Sequence, residues 1–136
     1  MKKTLLITTM LFVNQLFSQS EIEIALNFQN TLRSYYYLSE LELDNELSIL
    51  SNQLADKLLL SDSLFTEVDD YADNLFSIDN FNLPYSYNPY LDASLAWTID
   101  SDDPICLENI IDEDYDKVGF GMAKSKEKII VVVKYR

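Results

Sequence analysis

Catalysis and metal binding draw on a short list of side chains, and this chain's supply of them is lopsided. Its 136 residues include 23 Asp and Glu, a single cysteine and no histidine. Without imidazole the chain lacks the group whose ordinary pKa lies nearest neutrality, and with it the commonest general base and zinc ligand. Ser61 and Ser63 therefore have no histidine partner, which excludes a serine triad. Cys106 is a nucleophile in type only, because no base is at hand to lower its pKa and carboxylates raise it. It reads better as a small apolar residue in the core. The acidic runs Asp100-Ser101-Asp102-Asp103 and Asp112-Glu113-Asp114-Tyr115-Asp116 have the look of calcium loops. An EF-hand needs glycine at the sixth loop position and a chelating Glu at the twelfth. Counted from Asp100 those positions hold Ile105 and Ile111, and from Asp112 they hold Lys117 and Ala123. Both runs read as solvated turns.

Tyrosine is the other abundant functional type. Tyr85, Tyr87 and Tyr90 cluster in an Asn/Pro-rich stretch, and such rings offer apolar area plus a hydroxyl at low entropic cost. They are candidates for a recognition loop facing a glycan, lipid or protein. The competing expectation is that they pack over the sheet in place of the disulfides that one cysteine cannot form.

The charge balance narrows the partners. Ten basic residues against 23 acidic ones give a formal charge of −13, a surface that repels phosphate backbones and anionic headgroups. Nucleic acid is excluded as an expected partner. The first twenty residues read as a secretory signal: Lys2 and Lys3, then a mostly apolar stretch from Thr4 to Phe17, then Ser18-Gln19-Ser20 at a cleavage point. The apolar stretch is interrupted by Asn14 and Gln15 and is too short to span a bilayer. The expectation is an export signal at 1–20, a domain at 21–136, and a mature chain with 8 basic and 23 acidic residues in an extracellular or periplasmic setting.

The remaining pattern says what must position these groups. Ile22, Leu26, Leu32 and Tyr36 recur at near-helical spacing, with Ala25 and Phe28 beside them. Leu41 and Leu43 alternate with acids in a short extended segment. Asp44 is placed to cap a helix that carries Leu47, Leu50, Leu54 and Leu58 on one face. Residues 79–90 read as irregular loop, 91–99 as a short helix, and 105–111, 117–123 and 129–135 as strands. The run Ile129-Ile130-Val131-Val132-Val133 is apolar at every position, as in a strand covered on both faces. The predicted class is α/β: an α/β/α sandwich with N-terminal helices and a small, mainly antiparallel C-terminal sheet.

Several short motifs occur in a telling order. Asn30-Thr31-Leu32-Arg33 has the form N-x-x-R, and Leu41 to Leu47 has the form L-x-x-D-x-x-L. Ser51 and Ala55 are small residues four apart. Tyr71-Ala72-Asp73-Asn74-Leu75 is similar to Y-G-E-N-L, and Trp97-Thr98-Ile99-Asp100 to W-x-x-E. Cys106, then Val118-Gly119-Phe120-Gly121, then Val132 to Tyr135 follow. In this order they resemble the CAP superfamily (cysteine-rich secretory proteins, antigen 5 and pathogenesis-related-1 proteins, the SCP domain). The resemblance implies a secreted interaction domain, with roles such as sterol or lipid binding, signalling and host or cell-envelope contact. It also implies a cleft of two His and two Glu able to hold a divalent metal.

Carried over by position, the cleft Glu residues become Asp73 and Asp100, one His becomes Cys106, and the other falls near Asp62. Zinc wants nitrogen or thiolate donors, so no zinc site is expected. A loose oxygen-rich cleft of Asp62, Asp73 and Asp100 could hold calcium weakly, which gives a Ca²⁺-dependent adhesion module as one alternative. A hydrolase using Asp73 and Asp100 as a paired acid and base is another. The leading expectation is a non-enzymatic extracellular binding module without cofactor. Its cleft candidates are Asp62, Asp73, Asp100 and Cys106, and its ligand a protein, glycan or lipid.

Overall fold

The uninterrupted apolar run at 129–133 forms the middle of a strand paired on both sides, which fixes the centre of the molecule. The computed structural model describes residues 2–100, 102 and 104–136, with side chains from residue 19 onward. In chain order the elements are α1 (Lys2–Tyr35), β1 (Glu42–Leu43), α2 (Asn45–Leu59), β2 (Ala72–Asp79), α3 (Pro89–Ile99), α4 (Ile105–Ile110), β3 (Lys117–Lys124) and β4 (Lys128–Tyr135). The sheet runs β1-β3-β4-β2, antiparallel except for the parallel β1–β3 pair. Helix α2 covers one face; α1, α3 and α4 cover the other. This is the expected α/β/α sandwich. The expected signal segment is helical from Lys2 and continuous with α1. Side chains 1–18, and Ser101 and Asp103 of the first acidic turn, lie outside the described residues. Among the described residues no helix is long and apolar enough to cross a membrane.

Local chemistry explains the boundaries. Asp44 caps α2, its Oδ1 accepting from the Leu47 amide at 2.9 Å. Leu47, Leu54 and Leu58 face the sheet as the spacing predicts, and Leu50 is half-buried. Gly119 and Gly121 let that helix approach. A Cβ at Gly119 would lie 2.2 Å from the Leu47 carbonyl carbon, and one at Gly121 2.3 Å from the Asn52 nitrogen. Glycine in a strand is tolerated here because another backbone occupies the space.

Two assignments are corrected. Residues 105–111, expected as a strand, form α4. The helix turns Cys106 and Ile110, four apart, toward the core, so packing overrides the β preference of the Ile residues. The fourth strand is instead β2, which had no assigned element. Its alternation puts Ala72, Asn74, Phe76 and Ile78 on the α1/α3/α4 face and Asp73, Leu75 and Ser77 on the α2 face. Its acids obscure the period.

Candidate functional site

Strand β2 is an edge of the sheet, and α3 and α4 are fastened against it through its backbone and Asn74. Asn88 starts α3, accepting from the amides of Tyr90 and Leu91, with Pro89 in the first turn. Trp97 then lies inward and donates from Nε1 to the Leu75 carbonyl at 3.0 Å. Asn74 donates to the Cys106 carbonyl at 2.8 Å and accepts from Asn109 at 2.8 Å, which anchors α4. Between these elements lies a groove of about 290 Å³ lined by Leu64, Leu75, Phe76, Ser77, Ala96, Trp97, Asp100 and Cys106. The lining mixes apolar side chains with nearly as much polar surface, including the Asp100 carboxylate. Asp100 is exposed, and its Oδ1 accepts from the Asp102 amide at 3.0 Å.

Of the four cleft candidates, only Asp100 and Cys106 meet in this groove. Asp73 faces the other way, toward α2, directly across from Lys134 of β4. Lys134 Nζ donates to Asp73 Oδ1 at 2.9 Å and to Asp69 Oδ2 at 2.8 Å, and the Lys134 and Asp73 side chains are each only 1% exposed. Asp73 Oδ2 is buried with no hydrogen-bond partner. Burial pushes the Asp73 carboxyl above its ordinary range in spite of the lysine. Burial also opposes the charges on Asp69 and Lys134. Their mutual contacts outweigh it, holding Asp69 below and Lys134 above their ordinary values.

Asp62 lines a separate polar cleft with Ser61, Ser125, Lys126 and Lys128, where Lys128 Nζ donates to the Ser61 carbonyl at 2.8 Å. Asp62, Asp73 and Asp100 thus sit in three settings. Among the described residues no three His, Cys, Asp or Glu are disposed to hold a metal ion. The residues present do not fit the divalent metal that the resemblance implies. The cation meeting the carried-over Asp73 is an internal ammonium.

The tyrosines separate as well. Tyr85 is fully exposed beside Ser86, Asn88, Lys124, Glu21 and Ile24, around a shallow depression of about 610 Å³. Tyr87 is half-buried and donates to the Asp92 carboxylate at 2.7 Å; burial and that carboxylate raise its pKa. Tyr90 is a correction. It belongs to α3 rather than to a loop, and it is buried edge-on to Phe120 with ring centres 5.9 Å apart.

Sequence patterning missed the buried polar residues of α1. Gln29 and Arg33, four apart, are fully buried on the stripe begun by Ala25. Arg33 donates to the carbonyls of Ser39, Ile110, Asp112 and Tyr115, each at 2.8–2.9 Å. Gln29 donates to Ser94 at 2.9 Å and accepts from the Tyr135 hydroxyl at 2.8 Å. Asn30 clamps Leu41 through both its amide and its carbonyl, which aims the chain into β1. The sequence signal was the N-x-x-R spacing. Gln29 carried none.

Comparison with known proteins agrees with this architecture. The sequence profile of the cysteine-rich secretory protein family, CAP, matches residues 26–135. No curated protein matches the chain. Among solved structures, MpPR-1i is similar at TM-score 0.64 and 21% identity, covering 86% of this chain and 87% of that one. An outer surface protein from Borrelia burgdorferi is similar at TM-score 0.66 and 19% identity, covering 88% and 94%. The hookworm platelet inhibitor is similar at 0.65 and 17%, covering 84% and 67%.

Proposed function

We propose, since the chain belongs to the cysteine-rich secretory protein family, that it is an exported binding module without catalytic activity, its metal cleft degenerate. The observation that carries this reading is the Lys134 ammonium on Asp73. A carboxylate that meets a metal in the resembling family is here neutralised from within the chain. The family's secretory character and the expected signal at 1–20 support export. The hydrolase alternative loses its pair, because Asp73 is tied to Lys134 on the α2 face while Asp100 rims the groove.

The groove beside Trp97 is the proposed ligand site. Leu64, Leu75, Phe76, Ala96 and Trp97 offer apolar surface that suits a lipid or an apolar side chain of an extracellular protein better than a glycan. Tyr85 is a second contact available to a protein partner. Trp97 is the only tryptophan of the chain, so its emission reports this groove directly. Titration with Nile red, a neutral apolar dye, is expected to quench Trp97, and Ala96→Leu or Leu64→Arg to weaken that quenching. Zinc or calcium is expected to leave both the emission and the Tm unchanged. A metal-dependent rise in Tm would overturn the reading, since a ligand that binds the folded state must stabilise it.

A further inference from the structure

The cluster of Lys134, Asp73 and Asp69 plays no part in groove binding, and as an ion pair it is incomplete. Lys134 and Asp73 are sealed from water, yet Asp73 Oδ2 has no donor. A buried carboxylate with an unsatisfied oxygen is a costly arrangement. The pair is directly opposed in the β2–β4 register, which holds Nζ against the carboxyl group at 2.9 Å. Gly119 lies across from Lys134 on the other side, and the α2 backbone fills the space where its side chain would be. Asp69 is the only member with an opening to solvent, its side chain 27% exposed.

We propose that Lys134 and Asp73 become joined by an intramolecular isopeptide bond, with Asp69 as the catalytic carboxylate that relays the proton.

The chemistry balances without any co-reactant. A proton passes from the Lys134 ammonium to Asp73 Oδ1 across their 2.9 Å contact. The neutral amine then attacks Asp73 Cγ with its lone pair, forming the C–N bond. Nζ gives a second proton to Asp69 Oδ2, 2.8 Å away, and Asp69 hands it to the departing oxygen. The Cγ–Oδ1 bond breaks with its electron pair, and Oδ1 leaves as water past the open side of Asp69. One N–H remains on the new amide, and Asp69 ends as it began. Nothing is oxidised or reduced. The environment favours these roles: burial keeps Asp73 ready to accept a proton, and Asp69 is held as the anionic base.

The product removes the difficulty that the ion pair poses. Two buried charges become one neutral amide, and the remaining oxygen, Oδ2, is a neutral carbonyl rather than a buried anion. The bond would also tie β2 to the last strand across 61 residues of chain. In a family described as cysteine-rich, this chain has one cysteine and can form no internal disulfide. A cross-link of another kind would restrict the unfolded chain in the same way.

Intact-mass spectrometry of the purified chain tests this directly. The expected result is a mass lower, by one water, than the sequence mass calculated from the observed N-terminus. A tryptic digest should contain a branched peptide joining Asp73 to Lys134, with no cleavage after Lys134. Lys134→Arg and Asp69→Asn are expected at full sequence mass, and Asp73→Asn to lose ammonia in place of water. Folded wild-type protein at full sequence mass, with Asp73 and Lys134 in separate peptides, would overturn the proposal. Loss of water retained in Asp69→Asn would overturn the role given to Asp69. The wild-type measurement decides the bond even if a variant fails to fold.

Discussion

The two faces of the sheet bury polar groups by opposite means. On the side of α1, α3 and α4, the buried Gln29, Ser94, Asn74 and Tyr135 are neutral and pair with one another or with backbone. The one buried charge there among the described residues, Arg33, is spread over backbone carbonyls that would otherwise be orphaned. On the α2 side the contact is close and mostly apolar, with buried Ser51 donating to the Gly119 carbonyl, and the charged cluster at Lys134 leaves one oxygen over. The lesson concerns satisfaction rather than polarity. A fully paired network locks irregular loops in place, whereas the mismatched cluster stores a reactive arrangement. The groove beside Trp97 lies at the edge where the two faces meet, on β2.

The largest expected effect breaks the paired face. Arg33→Ala removes one side chain and strands four carbonyls on the loops at 39 and 110–115. Unsatisfied buried acceptors make this a loss of about 4 kcal/mol or more in urea denaturation. A loss under about 1 kcal/mol would mean that those loops are held by something else. The next effect tests the close-packed face. Gly119→Ala puts a methyl group 2.2 Å from the α2 backbone, where no side-chain rotation gives relief. Helix and sheet must separate, at about 3 kcal/mol in the same assay. If the α2 face is the more plastic of the two, Gly119→Ala will be milder than Arg33→Ala by more than this difference.

The sequence carried the fold better than it carried the site, for identifiable reasons. Asp44, the Leu47/Leu54/Leu58 spacing, the glycine pair and the Val-rich run are local signals, and each one sets a local structure. Strand β2 was hidden because Asp73, Ser77 and Asp79 are polar and the inward Asn74 is polar too, so alternation gave no contrast. Helix α4 was hidden by its Ile residues, which suit a strand until Cys106 and Ile110 must share one side. The site depends on which face each residue takes, and register decides that. Asp73 and Asp100 look like partners along the chain, yet a shift of one position in a strand reverses a side chain's face. Asp73 and Lys134 are paired only through the β2–β4 register. One clue was legible: a lysine directly after Val131-Val132-Val133, in a strand expected to be covered on both faces, must have a buried partner.

The smallest effect sharpens the contrast most, because it separates the faces by pH. Tyr135→Phe removes the hydroxyl that donates to Gln29 and leaves ring packing intact, including the stack with Tyr115. At neutral pH the loss is about 1–3 kcal/mol, the cost of an unpaired buried amide oxygen. Burial holds the Tyr135 phenol protonated in the folded state well above its ordinary value of 10.0. The unfolded chain therefore releases this proton first as pH rises, and wild type loses about 1.4 kcal/mol per pH unit above that value. The phenylalanine variant lacks this dependence, so the gap between the two proteins should narrow from pH about 8 to about 11. The acid side belongs to the other face. While Lys134 keeps its ammonium, Asp69 is held below its ordinary range, so its contribution is present above that range and fades as pH falls through the depressed value. Asp73, raised by burial, acts in the opposite sense. That limb should be the same in both proteins, since the Tyr135 hydroxyl and Asp69 lie on opposite sides of the sheet. An acid limb altered by Tyr135→Phe would show that the two faces are coupled through β4, whose residues 134 and 135 point in opposite directions.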